Sequence, residues 1–232
     1  MKTLAFDSSN KGLAVALLDG EDLVANLNLL IGQPHSTTLM PSVDFLMAQA
    51  GWLPTDLELV AVAQGPGSYT GLRMAASLAK TLAYTLKLPL AGVSSLYALV
   101  QSSGLVVPLI NARRGFVYGG IYENREAVLA DQYIAFSDLL VKVEGYEKVT
   151  FTGEVADFVS QISEKLPKAE ILLDSQPSAL AIGRLGQTLP KLTGQKIHDF
   201  VPNYLKRVEA EERWIEQHED DAQEDRNYVS RD

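Results

Sequence analysis

LVAVAQGPGSYTGLR, residues 59–73, decides how this chain is built. Its first five residues are wholly apolar and of strand length, and a helical pattern runs from about Thr70 to Leu86. Between them lies a glycine-rich turn. A buried strand that feeds a helix through a tight loop is the repeating unit of an α/β protein. Glycines in such a loop let backbone N–H groups approach an anion, and a helix N-terminus favours negative charge. Gly65, Gly67, Ser68, Thr70 and Gly71 therefore form the candidate phosphate-facing loop, with Ser68 and Thr70 as hydroxyl donors or helix caps. The same residues also suit a plain strand-to-helix turn. No Lys-Ser or Lys-Thr pair follows Gly71, so this is not a Walker loop.

Toward the N-terminus the pattern predicts strands over Thr3–Phe6, Leu13–Leu18 and Leu23–Ile31, with a hairpin turn at Asp19-Gly20. A helix follows from Ser36 and stops at Gly51. Toward the C-terminus a strand covers Leu90–Val93, and Ser94 or Ser95 caps a short helix reaching about Ser102. The order is βββαβαβα. The second half repeats it. Strands are predicted over Leu105–Ile110, Phe116–Tyr122 and Ala127–Ile134, then a short helix from Ser137. A strand over Val149–Thr152, a helix over Glu154–Leu166, a strand over Ile171–Leu173 and a helix over Ser178–Leu189 complete it.

A twice-repeated βββαβαβα order predicts two similar lobes, each a mixed sheet with helices on its faces. The actin, hexokinase and sugar-kinase group is built in this order, so the expected fold class is α/β, a two-lobe actin-like (ribonuclease H-like) duplication. That likeness concerns fold and not activity. The expected division is residues 1–103 for the first lobe, 104–205 for the second, and 206–232 for a charged tail. The front of the tail suits a helix that packs Trp214 and Ile215 onto the body.

Composition narrows the function. The 232 residues are 47% hydrophobic and 21% charged, enough to bury a sizeable core. There is no cysteine, which excludes a disulfide framework, thiolate metal sites and a cysteine nucleophile. The opening MKTLAFDSS lacks the apolar stretch of a signal peptide, and no run approaches the ~18 apolar residues that span a bilayer. The expected location is the cytoplasm, with no membrane contact. A net charge of −9 disfavours stand-alone binding to a phosphate backbone, with Lys206 and Arg207 as one local basic exception.

Several stretches together resemble the TsaB (YeaZ) family. GPGSYTGLR at 65–73 is the most specific, and FDSS at 6–9, HSTTLMP at 35–41, NARRGFVYGGIY at 111–122 and PNYLKRVEAE at 202–211 match in order. The resemblance implies a role in threonylcarbamoylation of the adenosine beside the anticodon of tRNA. It implies TsaD as catalytic partner and TsaE as ATPase partner, with tRNA met indirectly through the complex. TsaD carries a metal-binding H-x-x-x-H on its first helix. The matching positions here are His35 and Leu39, so one ligand is a hydrocarbon. In this fold the first-lobe Asp, here Asp7, serves phosphates or metal, while the second-lobe acid is replaced by Asn111. The second-lobe Gly-Gly turn reads Gly153-Glu154. These departures imply no catalytic residues, no metal and no cofactor of its own, with ATP or ADP at most at a complex interface. The rival readings are an ATP-dependent kinase of the same fold and a glycoprotease-like peptidase. No G-x-S-x-G elbow supports the latter.

The two first-lobe helices are unusually apolar. Leu39, Val43, Leu46, Met47 and Ala50 share one face of the first, while Phe45 lies on the other side. Leu72, Ala75, Ala76, Ala79, Leu82, Ala83 and Leu86 form a broad face of the second. Either the rest of the chain covers this surface or a partner does. The expected interface comprises Leu39, Val43, Phe45, Met47, Ala75, Ala76, Ala79 and Ala83, for TsaD or, in its absence, for a second copy.

Overall fold

A computed structural model describes residues 1–30, 35–173 and 175–206. The expected tail helix, with Arg207, Trp214 and Ile215, lies outside the described residues, as does Ile31.

Two five-stranded sheets follow one another along the chain. The first holds β1 (Lys2–Asp7), β2 (Leu13–Asp19), β3 (Asp22–Leu29), β4 (Leu59–Gly65) and β5 (Leu90–Ser94). The second holds β6 (Leu105–Asn111), β7 (Phe116–Glu123), β8 (Glu126–Ala135), β9 (Val149–Gly153) and β10 (Glu170–Ile171). Their spatial orders are β3-β2-β1-β4-β5 and β8-β7-β6-β9-β10, so each repeats the other. In both, three antiparallel strands are extended by two parallel ones. The second hairpin turns through Asn124 and Arg125, both at positive φ, the pairing that matches strand twist.

The faces of the first sheet differ in side-chain size. Leu4, Phe6, Val15, Leu17, Val60 and Val62 point to α1 (His35–Ala50) and α2 (Tyr69–Leu86), and all are buried. Ala5, Ala14, Ala16, Ala61 and Ala63 point the other way, to α5 (Ala179–Thr188). Small residues admit close approach. A Cβ on Gly186 would stand 2.7 Å from that of Ala61, and one on Gly183 would strike Leu18. Ser68 and Ser178 cap α2 and α5, each accepting an N–H three residues on. Lys87, in the left-handed conformation, closes α2 before Pro89 is reached.

The second sheet packs one face on α3 (Phe136–Val143) and α4 (Val159–Lys165) through Val107, Leu109, Val117, Phe151 and Ile162. Its other face meets Leu96, Leu99 and Val100 through Val106, Ile110 and Tyr122.

Three expectations need correction. The helix after Ser94 is only a 3₁₀ turn, Tyr97–Leu99. Ser94 does cap it, accepting from Leu96 and Tyr97 at 3.1 Å. The carbonyls of Ala98 and Leu99 are then drawn off to Ser178 and Thr152, so no further turn forms. The helix expected over Glu154–Leu166 breaks into a 3₁₀ turn, Ala156–Phe158, and α4, because the Glu154 side chain turns back to Asn111. Lastly, the chain after Ser178 does not stay with the second sheet. Helix α5 packs on the first, and Ile197 and Phe200 join the core under α2. Lys80 Nζ donates to the carbonyls of His198 (2.7 Å) and Phe200 (3.2 Å), which ties this return segment to α2. The repeats therefore exchange covers: the turn at 97–99 lies on the second sheet and α5 on the first.

Candidate functional site

Between the lobes, strand ends from both sheets converge on a cleft of about 680 Å³. The first wall is built by Ser9, Asn10 and Lys11 after β1 and by Gly67, Ser68, Tyr69 and Thr70 between β4 and α2. The second wall is built by Asn111, Ala112 and Arg113 after β6, Tyr118 on β7, and Glu154, Ala156 and Asp157 after β9. Ligands of open α/β sheets bind at such strand ends.

The glycine-rich loop divides into two parts. Gly67, Ser68 and Thr70 line the cleft. Gly65 and Gly71 do not line it. A side chain on Gly71 would overlap the Ser8 carbonyl, and one on Gly65 the Asn203 carbonyl. These glycines serve backbone crossings: Ser68 N–H donates to Ser9 O at 2.6 Å, and Ser8 Oγ to Gly71 O at 3.0 Å. Gly65 N–H donates to Ser95 Oγ at 3.1 Å. With Gly71 N–H on Ser68 Oγ, three of the loop's backbone donors are thus already committed within the protein.

Asp7 lies beneath this wall and has no exposed surface. Its Oδ1 accepts from Ser9 N–H at 2.6 Å. Oδ2 and the Ser9 hydroxyl are buried without a hydrogen-bond partner among the described residues. Burial pushes the carboxyl up to about 6, against the opposing pull of Ser9 and of His35. His35 Nε2 sits 3.0 Å from Asn10 O at the start of α1, while Leu39, one turn on, is buried in the core. Among the described residues no three His, Cys, Asp or Glu side chains lie together as a metal site.

On the opposite wall Asn111 organises two acids. Its N–H donates to Glu154 at 3.0 Å and its Nδ2 to Asp157 at 2.7 Å, while its Oδ1 accepts from Arg113 N–H at 2.8 Å. Lys11 and Arg113 are the cations at the rim. Glu154 and Asp157 thus make the second wall acidic, with Lys11 facing them from the first.

The expected partner interface is largely core. Leu39, Val43, Met47, Ala75, Ala76, Ala79 and Ala83 are all buried against the first sheet, at 7% exposure or less. Only Phe45 of that set is exposed, at 55%. The reason is periodicity: the face richest in apolar residues is the one the sheet takes. What remains on the surface is the opposite face, with Met40 and Phe45 on α1 and Tyr84 on α2.

A polar cluster between the lobes has no counterpart in the sequence reading. Asp131 on β8 accepts from Tyr122 Oη at 2.5 Å and from Ser94 Oγ of the first lobe. Burial pushes both Asp131 and Tyr122 up, and in Tyr122 the adjacent carboxylate adds to it. Gly120 makes the room, since a Cβ there would lie 2.9 Å from Asp131 Oδ1. An acid inside an otherwise half-buried strand, opposite Gly119-Gly120, is the signal that could have found it.

Three comparisons bear on identity. Residues 30–214 match the family model of TsaD, tRNA N6-adenosine threonylcarbamoyltransferase. The tRNA threonylcarbamoyladenosine biosynthesis protein TsaB of Bacillus subtilis (strain 168) is 36% identical over 231 residues, covering 93% of this chain and 99% of that protein. The structure of YeaZ from Pseudomonas aeruginosa superposes with a TM-score of 0.74 at 25% identity, over 88% of this chain and 99% of that one. More distantly, component A of the (R)-2-hydroxyglutaryl-CoA dehydratase of Acidaminococcus fermentans shares the fold, with a TM-score of 0.50 at 13% identity over 81% of this chain and 98% of that one. The architecture is thus the two-lobe, actin-like α/β fold, and with near-complete coverage at this identity the chain belongs to the TsaB (YeaZ) family.

Proposed function

We propose that this protein is a non-catalytic subunit for threonylcarbamoyl transfer to the adenosine next to the anticodon of tRNA, acting as scaffold and activator of TsaD together with TsaE. The observation that carries the reading is the near-full-length match to a protein named for tRNA threonylcarbamoyladenosine biosynthesis. The site geometry supports the non-catalytic part. The second wall has Asn111 in place of an acid, hydrogen-bonded to Asp157 and Glu154. Asp7 is sealed below the first wall. ATP or ADP then belongs at most to the interface of the assembled complex, not to this cleft alone.

TsaD docks, in this reading, on the exposed face of α1 and α2 around Met40, Phe45 and Tyr84, rather than on the alanine face that packs on the sheet. A second copy can occupy the same face when TsaD is absent.

The test is tRNA threonylcarbamoylation by purified TsaD, TsaE and the carbamoyl-adenylate-producing enzyme, with and without this chain. Activity that appears only on its addition, with no ATP turnover by the chain alone, supports the proposal; activity independent of it overturns the proposal. Phe45→Glu should leave stability within about 0.5 kcal/mol, as surface changes do. It should abolish co-elution with TsaD, and co-elution unchanged would place the interface elsewhere.

A further inference from the structure

Beside the main cleft lies a smaller pocket of about 160 Å³. Tyr69 at the start of α2, Tyr118 on β7 and Tyr204 in the return segment wall it, and Lys206 stands at its edge. None of the described residues lining it is acidic, in contrast to the cleft. Both Tyr69 and Tyr204 present ring surface to solvent, at 43% and 42% exposure. The two rings lie 5.2 Å apart and form one wall.

Cations already sit on the aromatic surface at both sides. The Arg73 guanidinium is 5.3 Å from the Tyr69 ring and donates to its hydroxyl at 3.1 Å. Lys206 Nζ is 5.2 Å from the Tyr133 ring, which stacks on Phe116 at 4.8 Å and leans on Tyr118 at 5.8 Å. Aromatic faces interleaved with Arg and Lys suit a flat ring that carries an anionic tether. Unpaired nucleotides have that chemistry: the base stacks and the phosphate meets the cations. The volume is well below the ~300 Å³ of the smallest drug-sized sites, so it suits one ring system rather than a folded peptide.

We propose that this tyrosine-walled pocket takes the base of one unpaired RNA nucleotide, with Arg73 and Lys206 meeting the flanking phosphates. The inference rests on the proposed role in tRNA modification for its choice of RNA as the strand. It also runs against the expectation from net charge, by which tRNA is met only through the complex. A net charge of −9 opposes the polyanion, so the binding is local, weak and steep in salt.

The experiment is fluorescence anisotropy of the full chain with a labelled single-stranded 12-mer of adenylate at low salt. The same strand annealed to its complement is the second probe, and unlabelled AMP the competitor. The single strand should bind at least about tenfold more tightly than the duplex and more tightly than AMP. Tyr204→Ala should lose about tenfold, since one stacked base contributes ~1–3 kcal/mol and tenfold is 1.4 kcal/mol. Lys206→Gln should lower the salt slope by about 0.7, one phosphate contact on a single strand. Equal affinity for strand and duplex, AMP binding as tightly as the strand, or an unchanged Tyr204→Ala affinity overturns the proposal. So does a Tyr204→Ala chain that keeps RNA binding but loses TsaD, which would seat a protein segment in the pocket. Co-elution with TsaD, measured on the same preparation, separates the two readings: a chain that joins TsaD without binding RNA leaves the proposed function standing and removes this inference.

Discussion

The two sheets share one strand order and differ in what covers their second face. The first is closed on both sides, by α1 and α2 over its large residues and by α5 over its alanines. The second is closed by helices on one side only; on the other it meets a single 3₁₀ turn and carries an aromatic group of Phe116, Tyr118 and Tyr133, of which Tyr118 lines the cleft. Duplication of order is therefore not duplication of closure. Helix α5 seats closely where Ala and Gly let backbones approach, while the face with Ile110 and Tyr122 packs on Leu96, Leu99 and Val100. Both sheets supply strand-end loops to the cleft, but only the half-covered one adds a side chain from the body of a strand, Tyr118.

The equivalent strand ends differ in the same way. Asp7 ends β1 buried, with an unpartnered oxygen; Asn111 ends β6 at the surface of the cleft, with every polar group of its side chain engaged. The first end is sealed under a crossing of loops, and the second is open.

The comparison can be broken most severely at the doubly covered sheet. Ala79→Glu, a charge placed where there is no exposed surface, should cost at least about 4 kcal/mol and leave little folded protein, as judged by urea unfolding. Next comes Asp7. Its carboxyl holds a proton more tightly in the folded chain, at about 6, than its ordinary value of 3.8. Stability from this group is therefore complete at low pH and falls as pH rises from about 4 to about 6, by about 3 kcal/mol in all. Asp7→Asn should remove that fall and raise stability at pH 8 by up to about 3 kcal/mol, read from urea midpoints across pH. A variant that keeps the slope would show that another group titrates.

Gly186→Val tests the tight seat of α5 and should cost about 2–3 kcal/mol through overpacking against Ala61. Thermal unfolding that is unchanged would mean α5 can ride outward without loss. The smallest effect is expected between the lobes. Tyr122→Phe removes one of the two hydroxyls on Asp131 and should cost about 1–2 kcal/mol. Because Ser94 and Asp131 belong to different lobes, the same variant should quicken hydrogen exchange at Leu96 and Tyr97, whose N–H groups rest on Ser94. Exchange there unaltered would show that the lobes hold together without this tie.

Much of the architecture was legible in the chain. Strand and helix periods are local properties, so the ten strands, α1, α2 and the loop of residues 65–71 follow from apolar runs, turn residues and caps. The sequence left the loop of Gly67, Ser68 and Thr70 open between a phosphate-facing loop and a plain turn; the structure lines the cleft with these three. The family, too, rests on motifs that stand in the sequence.

Tertiary structure alone decided which apolar face is core. A helical wheel marks Ala75, Ala76, Ala79 and Ala83 as one stripe, but a stripe suits a sheet and a partner equally, and here the sheet has it. It also decided that α5 returns to the first lobe, since the alanines of β1, β2 and β4 that receive it are more than a hundred residues away in the chain. The cluster of Ser94, Tyr122 and Asp131, and the pocket of Tyr69, Tyr118 and Tyr204, are assembled from segments with no local relation. Periodicity reports what a segment can bury; only the packed chain settles what it is buried against.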